Sequence, residues 1–132
     1  MTEVGERAEI ARAFAQHRYD VAIPHLARDV QWTVVGYMVL EGAGAVATSC
    51  RESVEGLEAT DVTWDRCLTV EQDDNVVVEV LGRYRRPDGV TIVSSCHICR
   101  FAGAQIASIT SYGVEVDPDS VGAPADVRRA TR

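Results

Sequence analysis

The segment SSCHICRF, residues 94–101, concentrates the side chains with the most chemistry in this sequence. It holds two of the four cysteines and one of the three histidines. Thiolates and imidazoles bind zinc, form disulfides or transfer protons. The spacing of Cys96 and Cys99 raises the first two possibilities, whereas His97 raises the third. The choice among them depends on the backbone that carries these side chains.

Residues 90–101 alternate as a β-strand does, and the alternation separates the two thiols. His97 and Cys99 share one face of such a strand with Phe101, while Cys96 points to the other face. Thiols on opposite faces cannot hold one zinc ion or close a disulfide without breaking the strand. We therefore expect no metal site. Four unpaired thiols also suit a reducing cytoplasm.

His97 is the candidate for proton chemistry that remains in this segment. An imidazole titrates near neutral pH, so His97 could act as a general acid, a general base or a hydrogen-bond donor. The alternative is a buried histidine that is bonded to a neighbouring polar group and has no catalytic role.

The composition predicts a single globular domain. The chain has 132 residues, of which 46% are hydrophobic and 25% charged, and no apolar run has the length of a membrane span. An acidic start with Glu3, Glu6 and Glu9 differs from a signal peptide, so we expect a cytoplasmic protein. The net charge of −7 argues against a nucleic-acid partner. All basic residues are arginines, which excludes lysine Schiff-base catalysis.

Helical spacing of apolar residues predicts two amphipathic helices, over residues 6–18 and residues 45–57. Between them, Asp20 can cap a short second helix that tolerates Pro24 in its first turn. We expect this second helix to end near Arg28.

Period-two alternation predicts the strands. A first strand over residues 30–35 leads into a glycine-spaced loop, GYMVLEGAG. Four longer strands follow, separated by the turn signals EQDDN, PDG and AGA, and should pair as an antiparallel meander. They span residues 61–71, 76–86, 90–101 and 105–116.

This order of elements indicates an α+β domain in which a curved, mostly antiparallel sheet wraps around three N-terminal helices. Such an arrangement tends to leave an apolar pocket between the two layers. We place the domain over residues 1–117. Residues 118–132 lose apolar periodicity and are predicted to form a flexible C-terminal tail.

Three stretches and the helical start carry a resemblance to a known family. The stretches are ARDVQWTVVG, LEGAGAV at the opening of a helix, and CRFAGAQIASITSY. They resemble the superfamily of nuclear transport factor 2, close to its SnoaL-like polyketide cyclases and ketosteroid isomerases, over roughly residues 5–117. The resemblance implies a cone-shaped fold whose deep pocket takes a small hydrophobic ligand without a cofactor. It also implies a homodimer formed through the outer face of the sheet.

The resemblance also implies which position of the family's pocket His97 occupies. Ketosteroid isomerases carry there a pocket acid that hydrogen-bonds the substrate oxyanion, so His97 is the expected catalytic residue, as an acid/base or an oxyanion donor. Two carboxylates of related enzymes are replaced in this sequence. Val34 occupies the position of the general-base aspartate of the isomerases, and Ser111 occupies the position of the acid/base aspartate of the cyclases. Phe14 occupies the place of the helical tyrosine of the isomerases.

The predicted faces of the strands and of the third helix define a pocket lining around His97. A mostly apolar lining with a few polar points suits a small hydrophobic ligand. Tyr37 could act as a lid or donate a phenolic hydrogen bond, while Trp32 and Cys50 could equally be core residues. The seven ligand-binding positions are Trp32, Val34, Tyr37, Cys50, Cys99, Ile109 and Ser111.

Several further polar residues are expected outside the pocket. Glu79 should point outward with Arg83, although a shifted strand phase would make Glu79 a buried general base. His17 and His25 lie at predicted helix ends and should face solvent. Tyr112 alternates toward the expected dimer face.

Two functional hypotheses follow. The first is an isomerase, cyclase or dehydratase that acts on a polyketide-like or steroid-like carbonyl compound with His97 in the site. The second is a non-catalytic ligand-binding or dimerisation module, because Val34 and Ser111 replace carboxylates. An epoxide hydrolase of the limonene type would need two aspartates around an arginine in the pocket, and the strand phases put none there.

Overall fold

The computed structural model describes residues 3–121 of the chain. The order of elements matches the α+β pattern predicted from the sequence, with one additional strand and a short final helix. The elements are α1 (Glu3–Ala15), α2 (Tyr19–Ala22), a 3-10 turn (Ile23–His25), β1 (Leu26–Val34), β2 (Met38–Glu41), α3 (Ala43–Glu55), β3 (Asp61–Gln72), β4 (Asn75–Arg86), β5 (Gly89–Ala102), β6 (Gln105–Val116) and α4 (Pro118–Val121).

The six strands form one sheet in the order β2-β1-β6-β5-β4-β3. Strands β3 to β6 pair as the predicted antiparallel meander, and β1 joins the sheet parallel to β6. The sheet is open and curled, and α1 and α3 pack against it. The α+β cone fold is therefore confirmed. No helix within residues 3–121 is long and apolar enough to cross a membrane.

The inner face of the sheet is densely packed at one end and open at the other. On β5, Cys99 and Phe101 are fully buried, whereas Ser95 is only half-buried. Strand β1 changes in the same way, from the buried Val30 to the half-buried Val34. The helices therefore fill one end of the cone, and the other end remains accessible.

The second helix differs from its prediction. Arg18, not Asp20, occupies the N-cap of α2, and no side chain caps it. The helix ends at Ala22 and continues as a 3-10 turn that contains Pro24. Proline cannot donate the hydrogen bond that would extend an α-helix, which explains the early end. Strand β1 already begins at Leu26, where the sequence predicted helix.

The predicted loop over residues 36–44 contains a strand. Met38–Glu41 forms β2, which pairs antiparallel with β1 so that Trp32 lies opposite Leu40. Gly36 has a φ of +79° in the tight turn between them, a conformation that glycine adopts without strain. The glycines of this segment thus make a hairpin.

Arg83 is buried, although the sequence predicted that it faces solvent. It lies on the outer face of β4 and donates from Nε and Nη2 to Oδ2 of Asp65, at 3.0 and 2.7 Å. Asp65 occupies a bulge of β3, between Trp64 and Arg66, where the register with β4 shifts. Glu79 does point outward, and it pairs with Arg66 at 2.9 Å.

Only the beginning of the predicted tail is described. Pro118–Val121 form α4, a single helical turn that contacts β5. Residues 122–132 lie outside the described residues.

Candidate functional site

His97 lies on the inner face of β5, at the boundary between the packed core and the open end of the sheet. Cys99 on one side is fully buried, and Ser95 on the other is half-buried. Phe14 of α1 packs against the imidazole edge-on, with the ring centroids 5.8 Å apart. At this boundary a polar side chain can be held by the protein and still reach a bound molecule.

Three side chains form a hydrogen-bonded chain that ends at His97. Trp32 donates from Nε1 to Oγ of Ser111 at 2.9 Å, and this oxygen lies 2.7 Å from Nδ1 of His97. An indole can only donate, so Ser111 accepts from Trp32, and it can then either donate its hydroxyl proton to Nδ1 or accept a second bond from it. When Ser111 donates, the imidazole proton is on Nε2. Each donor polarises the next one along the chain.

In that arrangement the Nε2–H group of His97 is the last donor of this chain. Its nearest partner is Oγ of Ser95 at 3.3 Å, a long contact that a ligand oxygen could replace. Burial, together with the smaller effect of the nearby charge of His17, lowers the pKa of His97 to about 4. The imidazole is therefore neutral at neutral pH. Such a group suits the donation of a hydrogen bond to a carbonyl oxygen better than the removal of a proton.

The cysteines are free thiols within the described part of the chain. Burial raises the pKa values of Cys50 and Cys99 to about 12, so both are protonated and weak nucleophiles. Cys96 is half-buried on the opposite face of β5 from Cys99. Within residues 3–121, no group of three or more His, Cys, Asp or Glu side chains is arranged to hold a metal ion.

The other predicted lining residues divide into three groups. Trp32, Cys50, Cys99 and Ile109 belong to the buried core, with Ser111 buried beside them. Val34 is half-buried against this core at the open end. Tyr37 is 82% exposed in the turn that joins β1 to β2. The structure thus brings His97, Ser111 and Trp32 into one network and leaves Tyr37 apart from them.

A cleft with a volume of about 670 Å³ lies beside the α2 segment and the last turns of α3. This volume is in the range of small-molecule sites. Its walls combine apolar residues with charged ones, and the eight residues predicted from the sequence are not among them. The lining consists of His17, Tyr19, Asp20, Ile23, Pro24, Arg51, Val54 and Glu55.

His17 is the functional candidate that the sequence prediction missed, since we expected it in solvent. Its Nδ1 lies 2.8 Å from Oη of Tyr19, and its Nε2 lies 2.7 Å from Oη of Tyr84. The ring of Trp64 packs nearby, at 5.4 Å between centroids. Tyr84 lies on the same face of β4 as the buried Val80. This alternation was the signal in the sequence that the phenol of Tyr84 faces the interior.

The backbone of His17 explains how the ring is directed inward. Helix α1 ends in a Schellman motif, in which Arg18 N–H bonds to Ala13 O at 2.8 Å and His17 N–H bonds to Phe14 O at 3.3 Å. His17 occupies the left-handed position with a φ of +62°. Glycine is usual there, and a residue with a side chain costs about 1–2 kcal/mol. Strain of this kind is found most often at functional sites.

The family model of the SnoaL-like domain matches residues 8–109, which is most of the chain. No curated protein sequence matches this chain. Two of the similar solved structures are an NTF2-like protein of unknown function from Cytophaga hutchinsonii and a hypothetical protein with a ketosteroid isomerase-like fold from Catenulispora acidiphila in complex with trimethylamine. The first is 24% identical and has a TM-score of 0.74, covering 83% of this chain and 97% of that one. The second is 16% identical with a TM-score of 0.60, covering 77% and 79%.

An LEH-like epoxide hydrolase from M. tuberculosis is a third similar structure. It is 18% identical with a TM-score of 0.65, and the match covers 83% of this chain and 84% of that one. At these identities the likeness concerns the fold. In the present chain, the buried Asp65 and Arg83 pair on the outer side of the sheet, away from His97.

Proposed function

The chain belongs to the SnoaL-like domain family, and on that premise we propose that it binds a small hydrophobic carbonyl compound and catalyses its isomerisation, cyclisation or dehydration without a cofactor. The observation that carries this proposal is the chain from Trp32 through Ser111 to His97, which can present a neutral N–H from Nε2 beside the half-buried Ser95. The ligand class is polyketide-like or steroid-like.

The chemistry common to these reactions is the loss of a proton next to a carbonyl group, which leaves negative charge on the carbonyl oxygen. A donor fixed in a region of low polarity stabilises that charge more in the transition state than in the ground state. His97 supplies such a donor at Nε2 when Ser111 donates to its Nδ1, and Phe14 packs edge-on against its ring. Because the imidazole is neutral, it adds no charge of its own to the core beside the one that develops on the carbonyl oxygen.

The cleft offers space for a ligand of moderate size, and because its lining does not include His97, the proposal requires the bound compound to extend from the cleft to Nε2 of His97. Ile23, Pro24 and Val54 offer apolar surface, and Tyr19 adds an aromatic wall. The charged groups of Asp20, Arg51 and Glu55 complete the lining. A ligand with an apolar body and a few oxygen atoms fits this combination better than a highly charged one.

A non-catalytic ligand-binding module is the second candidate. It is favoured by one observation: Val34 and Ser111 stand where related enzymes carry carboxylates, so His97 has no carboxylate base at those two positions. Binding without turnover would identify this case.

We also propose that two copies of the chain associate through the outer face of the sheet, in the cytoplasm. Exposed apolar side chains extend over this face, where they would otherwise remain in water. They are Val39, Leu68, Val70, Tyr112 and Val114.

The experiment that tests the proposed function is a thermal-shift titration of the purified protein with steroids, anthraquinones and aromatic polyketides, followed by turnover assays of each ligand that binds. A ligand at a hundred times its dissociation constant stabilises the folded state by about 2.7 kcal/mol, which is readily measured. We expect saturable binding and a turnover that falls at least tenfold in His97→Gln. Absence of binding across the panel would contradict the proposal, and unchanged turnover in His97→Gln would remove His97 from the mechanism.

A further inference from the structure

Two phenols hold the imidazole of His17 from opposite sides. The distances are 2.8 Å from Nδ1 to Oη of Tyr19 and 2.7 Å from Nε2 to Oη of Tyr84. Burial lowers the pKa of His17 and raises the pKa values of both tyrosines, so all three groups are neutral near pH 7. A neutral imidazole has one N–H and one bare nitrogen, so it must donate to one phenol and accept from the other.

Two proton arrangements satisfy this geometry equally. In one, Tyr19 donates to Nδ1 and Nε2–H donates to Tyr84. In the other, Tyr84 donates to Nε2 and Nδ1–H donates to Tyr19. The heavy atoms have the same positions in both, so the conversion needs only proton transfers, in which one proton enters at Tyr19 and one leaves from Tyr84.

The two ends of this group reach different parts of the site. His17 and Tyr19 line the cleft, whereas Tyr84 lies half-buried on the inner face of β4, toward the open end of the cone. Trp64 packs against the ring of His17 and helps to position it. Trp64 in turn fits there only beside a glycine, because a Cβ atom at Gly82 would come within 2.7 Å of its Cζ3.

We propose that Tyr19, His17 and Tyr84 form a neutral proton relay between the cleft and the open end of the cone. The proposal rests on the proposed function, because a relay matters only if the bound compound exchanges a proton. The relay gives a ligand proton a route to an oxygen of the ligand or of water, and it leaves His97 as the donor to the carbonyl oxygen.

The transfer balances without a further reactant. An O–H or acidic C–H bond of the ligand breaks, and its proton bonds to the oxygen of Tyr19. The former Tyr19 proton passes to Nδ1 of His17, and the Nε2 proton passes to the oxygen of Tyr84. The former Tyr84 proton goes to an oxygen of the ligand or of water. The relay ends neutral in its second arrangement, and the electron pair of the broken bond stays on the ligand. The reverse transfer restores the first arrangement.

The test is ¹⁵N NMR of histidine-labelled full-length protein without ligand, which distinguishes a protonated ring nitrogen from a bare one. We expect averaged shifts for the two nitrogens of His17, because water can supply the proton that enters at Tyr19 and accept the proton that leaves Tyr84, so that both arrangements are populated. His97 serves as the internal reference and should show one tautomer with the proton on Nε2. Tyr84→Phe should collapse His17 to a single tautomer, whereas Tyr112→Phe, which removes an exposed phenol, should leave the averaging unchanged.

A single tautomer of His17 in the wild-type protein would overturn the relay, and so would averaging that persists in a folded Tyr84→Phe. The wild-type spectrum decides the question even if the variant does not fold. Because the spectra need no ligand, this inference and the proposed function can fail independently of each other.

Discussion

The hydroxyl of Ser111 lies 2.7 Å from Nδ1 of His97, its cross-strand partner on β5. Ser111→Ala would leave Nδ1 of His97 and Nε1–H of Trp32 without these hydrogen bonds inside the protein. Buried polar groups that lose their partners cost about 1–3 kcal/mol, so we expect the free energy of unfolding to fall by this amount. Urea denaturation measures it. Ser108→Ala, on the opposite face of β6, is the matched control and should change stability by less than about 0.5 kcal/mol.

The low pKa of His97 makes stability depend on pH. The folded protein keeps this imidazole neutral down to about pH 4, whereas the unfolded chain protonates it below its ordinary value of 6.5. The unfolded state therefore binds more protons between these values, and stability falls as the pH decreases from 6.5 to 4. Below pH 4 both states are protonated and the loss is complete, at about 3 kcal/mol.

Denaturation of wild type and His97→Gln across this pH range isolates the contribution of the one imidazole. We expect the variant to lose less stability than the wild type on acidification. Carboxylates and His17 titrate in both proteins, so they cancel in the difference. Parallel curves would show that His97 is not held neutral in the folded state.

The ion pair between Asp65 and Arg83 should contribute far more than the pair between Glu79 and Arg66. The side chains of the first pair are 2% and 10% exposed, whereas both partners in the second are more than 40% exposed. Asp65→Ala leaves a buried guanidinium without its carboxylate, and we expect a loss of about 3 kcal/mol. Glu79→Ala should cost less than about 1 kcal/mol. Equal losses in urea denaturation would contradict the difference in burial.

A charged substitution on the outer face of the sheet tests whether two copies of the chain associate there. Val114 is 64% exposed, and a charge there would have to be buried in the proposed interface. We expect sedimentation velocity to show a dimer for the wild type and a monomer for Val114→Asp. Val21→Asp places the same charge on α2, away from the sheet, and should remain dimeric. A monomeric wild type would reject the interface.

Much of the fold was predictable because α1, α3 and the strands β3 to β6 have clear hydrophobic periodicity over ten or more residues. Strand β2 was missed because it has four residues and lies among glycines. The burial of Arg83 was missed for another reason: Asp65 sits in a bulge, and a bulge breaks the period-two pattern from which side-chain direction is inferred.

The site was less predictable than the fold. The face of His97 followed from strand alternation, but its partner Ser111 is on another strand. His17 could not be placed, because its direction depends on a left-handed backbone that few residues other than glycine adopt. Its partner Tyr84 lies 67 residues away. Side-chain packing also decided that Trp32 and Cys50 belong to the core and not to the wall of the cleft.

The most direct test of the central claim is the infrared carbonyl stretch of a bound, ¹³C=O-labelled compound taken from the binding panel. If Nε2–H of His97 donates to that oxygen, the stretch moves to lower frequency on binding to the wild type, and the shift disappears in His97→Phe. The same stretch in both proteins would show that the ligand oxygen does not lie on His97, and the proposed mechanism would be wrong.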